Sequence, residues 1–232
     1  MTHRLLPIAL LAAAAATTAG CGGGADQGPP AQAAGRAALA GAGYTSDQLE
    51  QALLTEPSGY RRAGDPDSGE YGTLAAIQNF DQLQRQVKLD KPRCAAARPG
   101  GALDRSVPAA IATFAKKGGS SLTETLLALP DDAAERQVKA RVPAGCQTFR
   151  TLVGATWSEH EVMEPPPGTL GEGSRTVGVV STTGGSNTKT WYVVARGRRH
   201  LVTISLYGPN ATREEAEGLA GQAIEQARRI LP

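Results

Sequence analysis

Aromatic residues make up only 4% of this 232-residue chain. Leucine, valine, isoleucine and alanine must therefore fill whatever core it builds. Lysines and arginines number 24 against 22 acids, a balance that lacks the concentrated basic face of a nucleic-acid binder. No apolar run reaches the roughly 20 residues needed to span a bilayer. There is no G-x-S-x-G nucleophile elbow and no internal repeat. Histidines number three and cysteines three, so imidazole and thiol chemistry have few starting points.

The cysteines are informative because of where they stand. Met1 to Arg4 form a basic start, Leu5 to Ala16 an apolar run, and Thr17 to Gly20 a set of small residues directly before Cys21. That order is a secretory signal with its cleavage site. A cysteine straight after Ala19-Gly20 resembles the bacterial lipobox, which implies cleavage before Cys21 and diacylglycerol on its sulfur. Two acyl chains meet the two-signal requirement for stable anchoring. The expected address is the extracytoplasmic face of the cell membrane, with the membrane as partner through Cys21. The competing reading is a freely secreted protein in which Cys21 is ordinary.

Residues 22–43 are rich in Gly, Ala, Pro and Gln. They carry too little apolar surface to offset their ordering entropy, so the composition predicts a tether. At about 5–6 Å × √n it would hold the rest roughly 25 Å from the lipid. The remainder, 44–232, suits one domain. Cys94 and Cys146 form the pair left over, and an oxidising compartment favours a disulfide between them. Closing a loop of about 50 residues is worth on the order of 4 kcal/mol. Two buried thiols or a metal pair are the alternatives, the latter without nearby partners.

Local patterns predict an α+β fold, an antiparallel meander with helices on one face and at the N-terminal side. Thr45 with Gln48 reads as a capping box, and Leu49, Leu53 and Leu54 as that helix's apolar stripe. Asp65 to Gly72 reads as a loop, Thr73 to Lys88 as weakly helical, Val107 to Lys117 as a short helix and Ser121 to Leu129 as a strand. Asp132 with Glu135 is expected to cap a further helix. Strand-like residues follow over Phe149–Met163 and Thr176–Thr182. Trp191–Arg196 and His200–Tyr207 then form a hairpin about a Gly197-Arg198 turn. Its register pairs Ala195 with His200, Val193 with Val202 and Trp191 with Ile204, leaving Thr203 on a solvated or ligand-lining face. Thr212 opens a final helix with the stripe Ala216, Leu219, Ala220, Ala223, Ile224, Ala227 and Leu231. Gly218 and Gly221 within it predict a close approach to the sheet.

Several runs resemble a known family. Leu53 to Tyr60 (LLTEPSGY) looks like the "LL…P-x-G-Y" opening of actinobacterial extracytoplasmic sensor-like domains, typified by the outer domain of PknH-type receptor kinases and related lipoproteins. Cys146-Gln-Thr-Phe149 is similar to the family's C-x-x-F, and Val193–Gly197 with Leu201–Ser205 to its late hairpin, before a closing helix. The kinase domains carry two disulfides, whereas this chain can form one. The resemblance implies a binding or sensing module and not a catalyst.

Candidate chemistry is sparse. Glu159, His160, Glu161 and Glu164 are the densest ligand-type cluster. Strand alternation sends Glu159 and Glu161 to one face and His160 to the other, so they would not chelate together. Asp65, Asp67 and Glu70 partly resemble a calcium loop but lack its distal glutamate. Arg196, Arg198 and Arg199 suit either anionic head groups or a solvated hairpin tip. Asn210-Ala-Thr212 matches a glycosylation sequon, though Thr212 is better explained as a helix cap. No metal, cofactor or nucleic acid is expected, and the chain is expected to be monomeric. Three functions stay open: a non-catalytic module binding a small ligand or envelope protein, an envelope hydrolase or its accessory subunit using His160 with Glu159 or Glu161, and a structural adaptor for a membrane protein.

Overall fold

Ala216, Leu219, Ala220, Ala223, Ile224 and Ala227 are all buried along one stripe of the C-terminal helix α4 (Arg213–Ile230). The Thr212 side chain accepts the Glu215 N–H at its start (3.2 Å). The stripe lies on β9 (Ser186–Gly197) and β10 (His200–Gly208). The structure, a computed structural model, describes residues 43–97 and 103–231. Cys21, the signal sequence and nearly all of the tether lie outside them.

The chain is α+β. Its remaining strands are β1 (Arg61–Arg62), β2 (Asp67–Glu70), β3 (Val87–Leu89), β4 (Pro108–Lys116), β5 (Ser120–Ala128), β6 (Thr148–Val153), β7 (Thr156–Met163) and β8 (Ser174–Thr183). The other helices are α1 (Ser46–Ala52), α2 (Ala75–Gln84) and α3 (Asp131–Lys139). Among the described residues ten strands form one antiparallel sheet in the order β1-β4-β5-β10-β9-β8-β7-β6-β3, with β2 also on β4. Consecutive hairpins run from β6 to β10, and β10 then closes against β5.

Side-chain alternation divides the sheet into two buried layers. Ala110, Ala112, Phe114, Leu122, Leu126, Val193, Ala195, Val202, Ile204 and Leu206 meet α1 and α4. Ala109, Ile111, Leu127, Val194 and Leu201 point the other way, onto Leu74 and the α3 residue Ala134. Helical cover on both faces corrects the expectation of one covered face. It also explains why β4 is a strand where residues 107–117 read as a helix. Its Ala-rich run is buried on both sides between β2 and β5, and this packing overrides alanine's helix propensity.

Other expectations shift locally. Thr45 and Gln48 do form the capping box. The 65–72 loop contains β2, with Asp67 opposite Ile111. The Asp67 carboxylate accepts the Ala75 N–H (2.7 Å) at the start of α2, so this acid is occupied by helix initiation. The segment read as helical over 73–88 ends as α2 at Gln84 and gives way to β3. Asp132 does not cap α3. Pro130 stands at the N-cap, and Asp132 instead pairs with Arg136 (2.5 Å) on the same helix.

The late hairpin keeps its expected faces but not its register. Leu201 pairs with Arg196, Val202 with Ala195 and Leu206 with Trp191, a slip of two residues that preserves facing. The turn is Arg198-Arg199, with Arg199 at φ 55°. Gly197 serves close approach instead of the turn: a Cβ there would meet the His200 Nε2 at 2.2 Å. A Cβ on Gly218 of α4 would meet open space, which corrects the expectation that this glycine permits close helix–sheet packing.

Candidate functional site

The Glu159–His160–Glu161 run lies on β7, between β6 and β8, at the end of the sheet that α4 does not cover. Phe149 pairs with His160 across the hairpin, and His160 pairs with Ser181 of β8. Both imidazole nitrogens are engaged on that face. Nε2 is 2.7 Å from Thr151 Oγ1 and Nδ1 is 2.8 Å from Ser181 Oγ, while the ring stacks on Phe149 with centroids 4.8 Å apart. Burial lowers the His160 pKa, and the charge of Asp90 offsets this in part. Hydroxyls can donate or accept, so they satisfy either neutral tautomer.

Alternation places Thr148, Arg150, Glu159, Glu161, Val180 and Thr182 on the opposite face. They line a cleft of about 400 Å³ together with Asp90 and Lys91, and Phe149 and His160, whose rings turn to the other face, also border it. Asp90 and Lys91 follow β3 and form the rim. The Asp90 carboxylate accepts the Arg150 N–H (2.8 Å) and pairs with its Nε (3.4 Å). The backbone bond is the larger reason its pKa lies below the usual range, followed by the Arg150 side chain against some desolvation. Lys91 donates to the carbonyls of Gly145 (3.3 Å) and Thr148 (2.5 Å). The Arg150 guanidinium lies 5.0 Å from the centroid of the exposed Trp157 ring. Glu159 and Glu161 are exposed, and neither forms an ion pair with a described residue.

A disulfide holds the rim. Cys94 and Cys146, both buried, are bonded sulfur to sulfur (2.03 Å), with Cα atoms 5.5 Å apart. It ties the 3₁₀ turn Pro92–Ala97 to the segment leading into β6. Nearby, Glu164 accepts from Arg175 Nε (2.7 Å) and from the Val142 N–H (3.1 Å), so it braces the loop before β6 and is not part of the cleft.

The arrangement can hold a polar ligand against a sheet face. It does not assemble an acid–base pair: the His160 ring and the carboxylates of Glu159 and Glu161 lie on opposite faces. His200 offers no alternative. Its Nδ1 donates to the Arg198 carbonyl (2.8 Å), its Nε2 is buried without a partner, and burial lowers its pKa. Among the described residues no three histidine, cysteine or carboxylate groups could hold a metal, and no helix is long and apolar enough to cross a membrane.

Sequence reasoning missed Asp90, Lys91, Arg150 and Thr182, which only the β3–β6–β7–β8 pairing brings together. It also missed Glu124 of β5, fully buried opposite Ile204. A signal existed there, because Glu124 shares the core-facing parity of Leu122 and Leu126.

No family model and no curated protein matches this chain. Among solved structures it is similar to the extracellular domain of PknH from Mycobacterium tuberculosis, at 14% identity and a TM-score of 0.49, covering 81% of this chain and 98% of that one. It is also similar to a Rv0999 ortholog from Mycobacterium smegmatis, at 14% identity and a TM-score of 0.48, covering 79% and 97%.

Proposed function

We propose that this protein is a non-catalytic binding module held on the outer face of the cell membrane by diacylglycerol on Cys21. Residues 22–43 serve as its tether and 44–232 as its α+β domain. One observation carries the non-catalytic reading: both His160 ring nitrogens are taken by Thr151 and Ser181. The carboxylates it would need as partners stand across the sheet. Beside it lies a cleft whose rim is braced by a disulfide. Its volume of about 400 Å³ is within the range of ligand sites, while its charged and hydroxyl lining, unlike the apolar lining of most such sites, suits a polar ligand. The anchoring half rests on the placement of Cys21 after a short apolar signal. Fractionation tests it. Wild type should stay with membranes through a high-salt wash, and Cys21→Ser should be released; a variant that stays bound removes the anchor.

The adaptor reading draws on α2, which buries none of its residues and exposes Phe80 and Leu83 (48% and 60%). Cross-linking in intact envelopes separates it. A protein adduct lost in Phe80→Ser/Leu83→Ser but kept in a cleft variant would favour docking through α2.

A further inference from the structure

The point where the described chain starts marks one tip of the sheet. A Cβ on Gly43 would sit 3.5 Å from the Ala128 Cβ and 3.9 Å from the Arg199 carbonyl. The Tyr44 ring stands 6.0 Å from that of His200, the first residue of β10. Helix α4 starts beyond the far end of β10 and runs back over β9 and β10. Its last turns reach the same end of the sheet: a Cβ on Gly171 would meet both the Arg196 carbonyl (2.2 Å) and the Ile224 side chain (3.4 Å), and Leu231 is buried in the core cluster that holds Tyr44.

This tip is cationic and partly apolar. Arg198 and Arg199 are exposed on the hairpin turn, Arg228 and Arg229 on the end of α4, and Ile230 beside them is 44% exposed. Of the neighbouring acids, Glu172 pairs with Arg196 (3.7 Å) and Glu225 with Arg228 (2.9 Å), while Asp131 accepts the Arg199 backbone N–H (3.2 Å) and keeps its charge. Arg229 bonds the neutral Gln226 (2.5 Å), and Arg198 has no acidic partner among the described residues.

We infer that this tip is a membrane-docking surface, on which Arg198, Arg228, Arg229 and Ile230 rest against the anionic head groups of the bilayer that holds Cys21. The inference rests on the anchoring reading above. Guanidinium groups match phosphate geometry through paired donors, and an isolated isoleucine among them can enter the interfacial region. Each arginine near an anionic surface is worth roughly a fivefold gain in partitioning. A contact that weak suffices when a short tether already holds the tip at millimolar effective concentration. Docking by this tip would turn the β8–β9 and β6–β7 turns, and the cleft beside them, away from the bilayer.

Amide hydrogen exchange on the full mature lipoprotein in vesicles tests this, comparing pure phosphatidylcholine with phosphatidylcholine containing phosphatidylglycerol. In the anionic vesicles, exchange at 197–200 and 228–231 should slow severalfold, and 0.5 M salt should reverse it because the Debye length shrinks. Arg198→Ala/Arg229→Ala, both exposed, should lose most of that protection, roughly 25-fold in contact strength. Equal exchange in both vesicle types, or protection at the opposite turns, overturns the docking surface while membrane retention still depends on Cys21. A wild type that washes off as readily as Cys21→Ser removes the anchor itself, and the docking surface with it.

Discussion

Glu124→Gln should free the stability of this protein from a dependence on pH that its wild-type core imposes. The Glu124 carboxyl is fully buried between β5 and α1. Its Oε2 accepts the Leu54 N–H (2.8 Å) and its Oε1 has no partner. Desolvation is the dominant effect on its pKa; the Leu54 N–H and the charge of Arg62 oppose it only in part, and the value is pushed up to about 7. Because the folded value lies above the unfolded one, the stability is fully present below about pH 4.5 and is lost as pH rises through about 7. The gap between 4.5 and about 7 corresponds to about 3 kcal/mol. Glutamine keeps an acceptor for Leu54 and cannot ionise. Urea unfolding at pH 5 and pH 8 should find the two proteins similar at pH 5, with wild type about 3 kcal/mol the weaker at pH 8. His160 and His200, whose folded values are lowered, contribute with the opposite sign: their stability is present above about 6.5 and lost as pH falls through the folded values. They do so in both proteins and cancel in the difference. Parallel pH profiles for wild type and Glu124→Gln would refute the reasoning.

Gly197→Ala should destabilise by about 1–3 kcal/mol, the usual cost of overpacking, because the new methyl meets the His200 ring. Thermal melts at constant pH read this, and an unchanged Tm would mean that the ring moves aside without cost. Ile204→Ala should cost about 2–5 kcal/mol as a core cavity, whereas Thr203→Ala on the half-buried opposite face should cost under about 1 kcal/mol; chemical denaturation of the pair checks the assignment of faces. Non-reducing peptide mapping should recover Cys94 linked to Cys146. Reducing that bond should cost about 2–5 kcal/mol, with free thiols in exported protein the contrary result.

Legibility in the sequence followed how local the determining contacts are. The α4 stripe, the Thr45–Gln48 capping box and the Thr212 cap were readable because their partners lie three or four residues apart, whereas Asp132, at the same spacing from Glu135, was claimed by Arg136 instead. The hairpin's faces were readable from alternation, yet its register was not. Gly197 resembles a turn glycine, and only the His200 ring lying across it shows why glycine is required. β4 misled because alanine favours a helix until two neighbouring strands and cover on both faces claim it. At the site, alternation alone separated His160 from Glu159 and Glu161. The rim residues Asp90 and Lys91 gave no local sign, since they reach Arg150 and Thr148 across about 60 residues of chain through β3 and the disulfide.

The central claim is that the domain holds a ligand in the cleft between Arg150, Glu161 and Thr182. Native mass spectrometry of the mature protein, gently extracted from its own membranes, tests it most directly. Wild type should carry a non-covalent small molecule in addition to its lipid, and Arg150→Ala/Glu161→Ala should lose that added mass while keeping the lipid. Bare lipoprotein masses for both, or an adduct that survives the double substitution, would contradict the assignment of this cleft as the binding site.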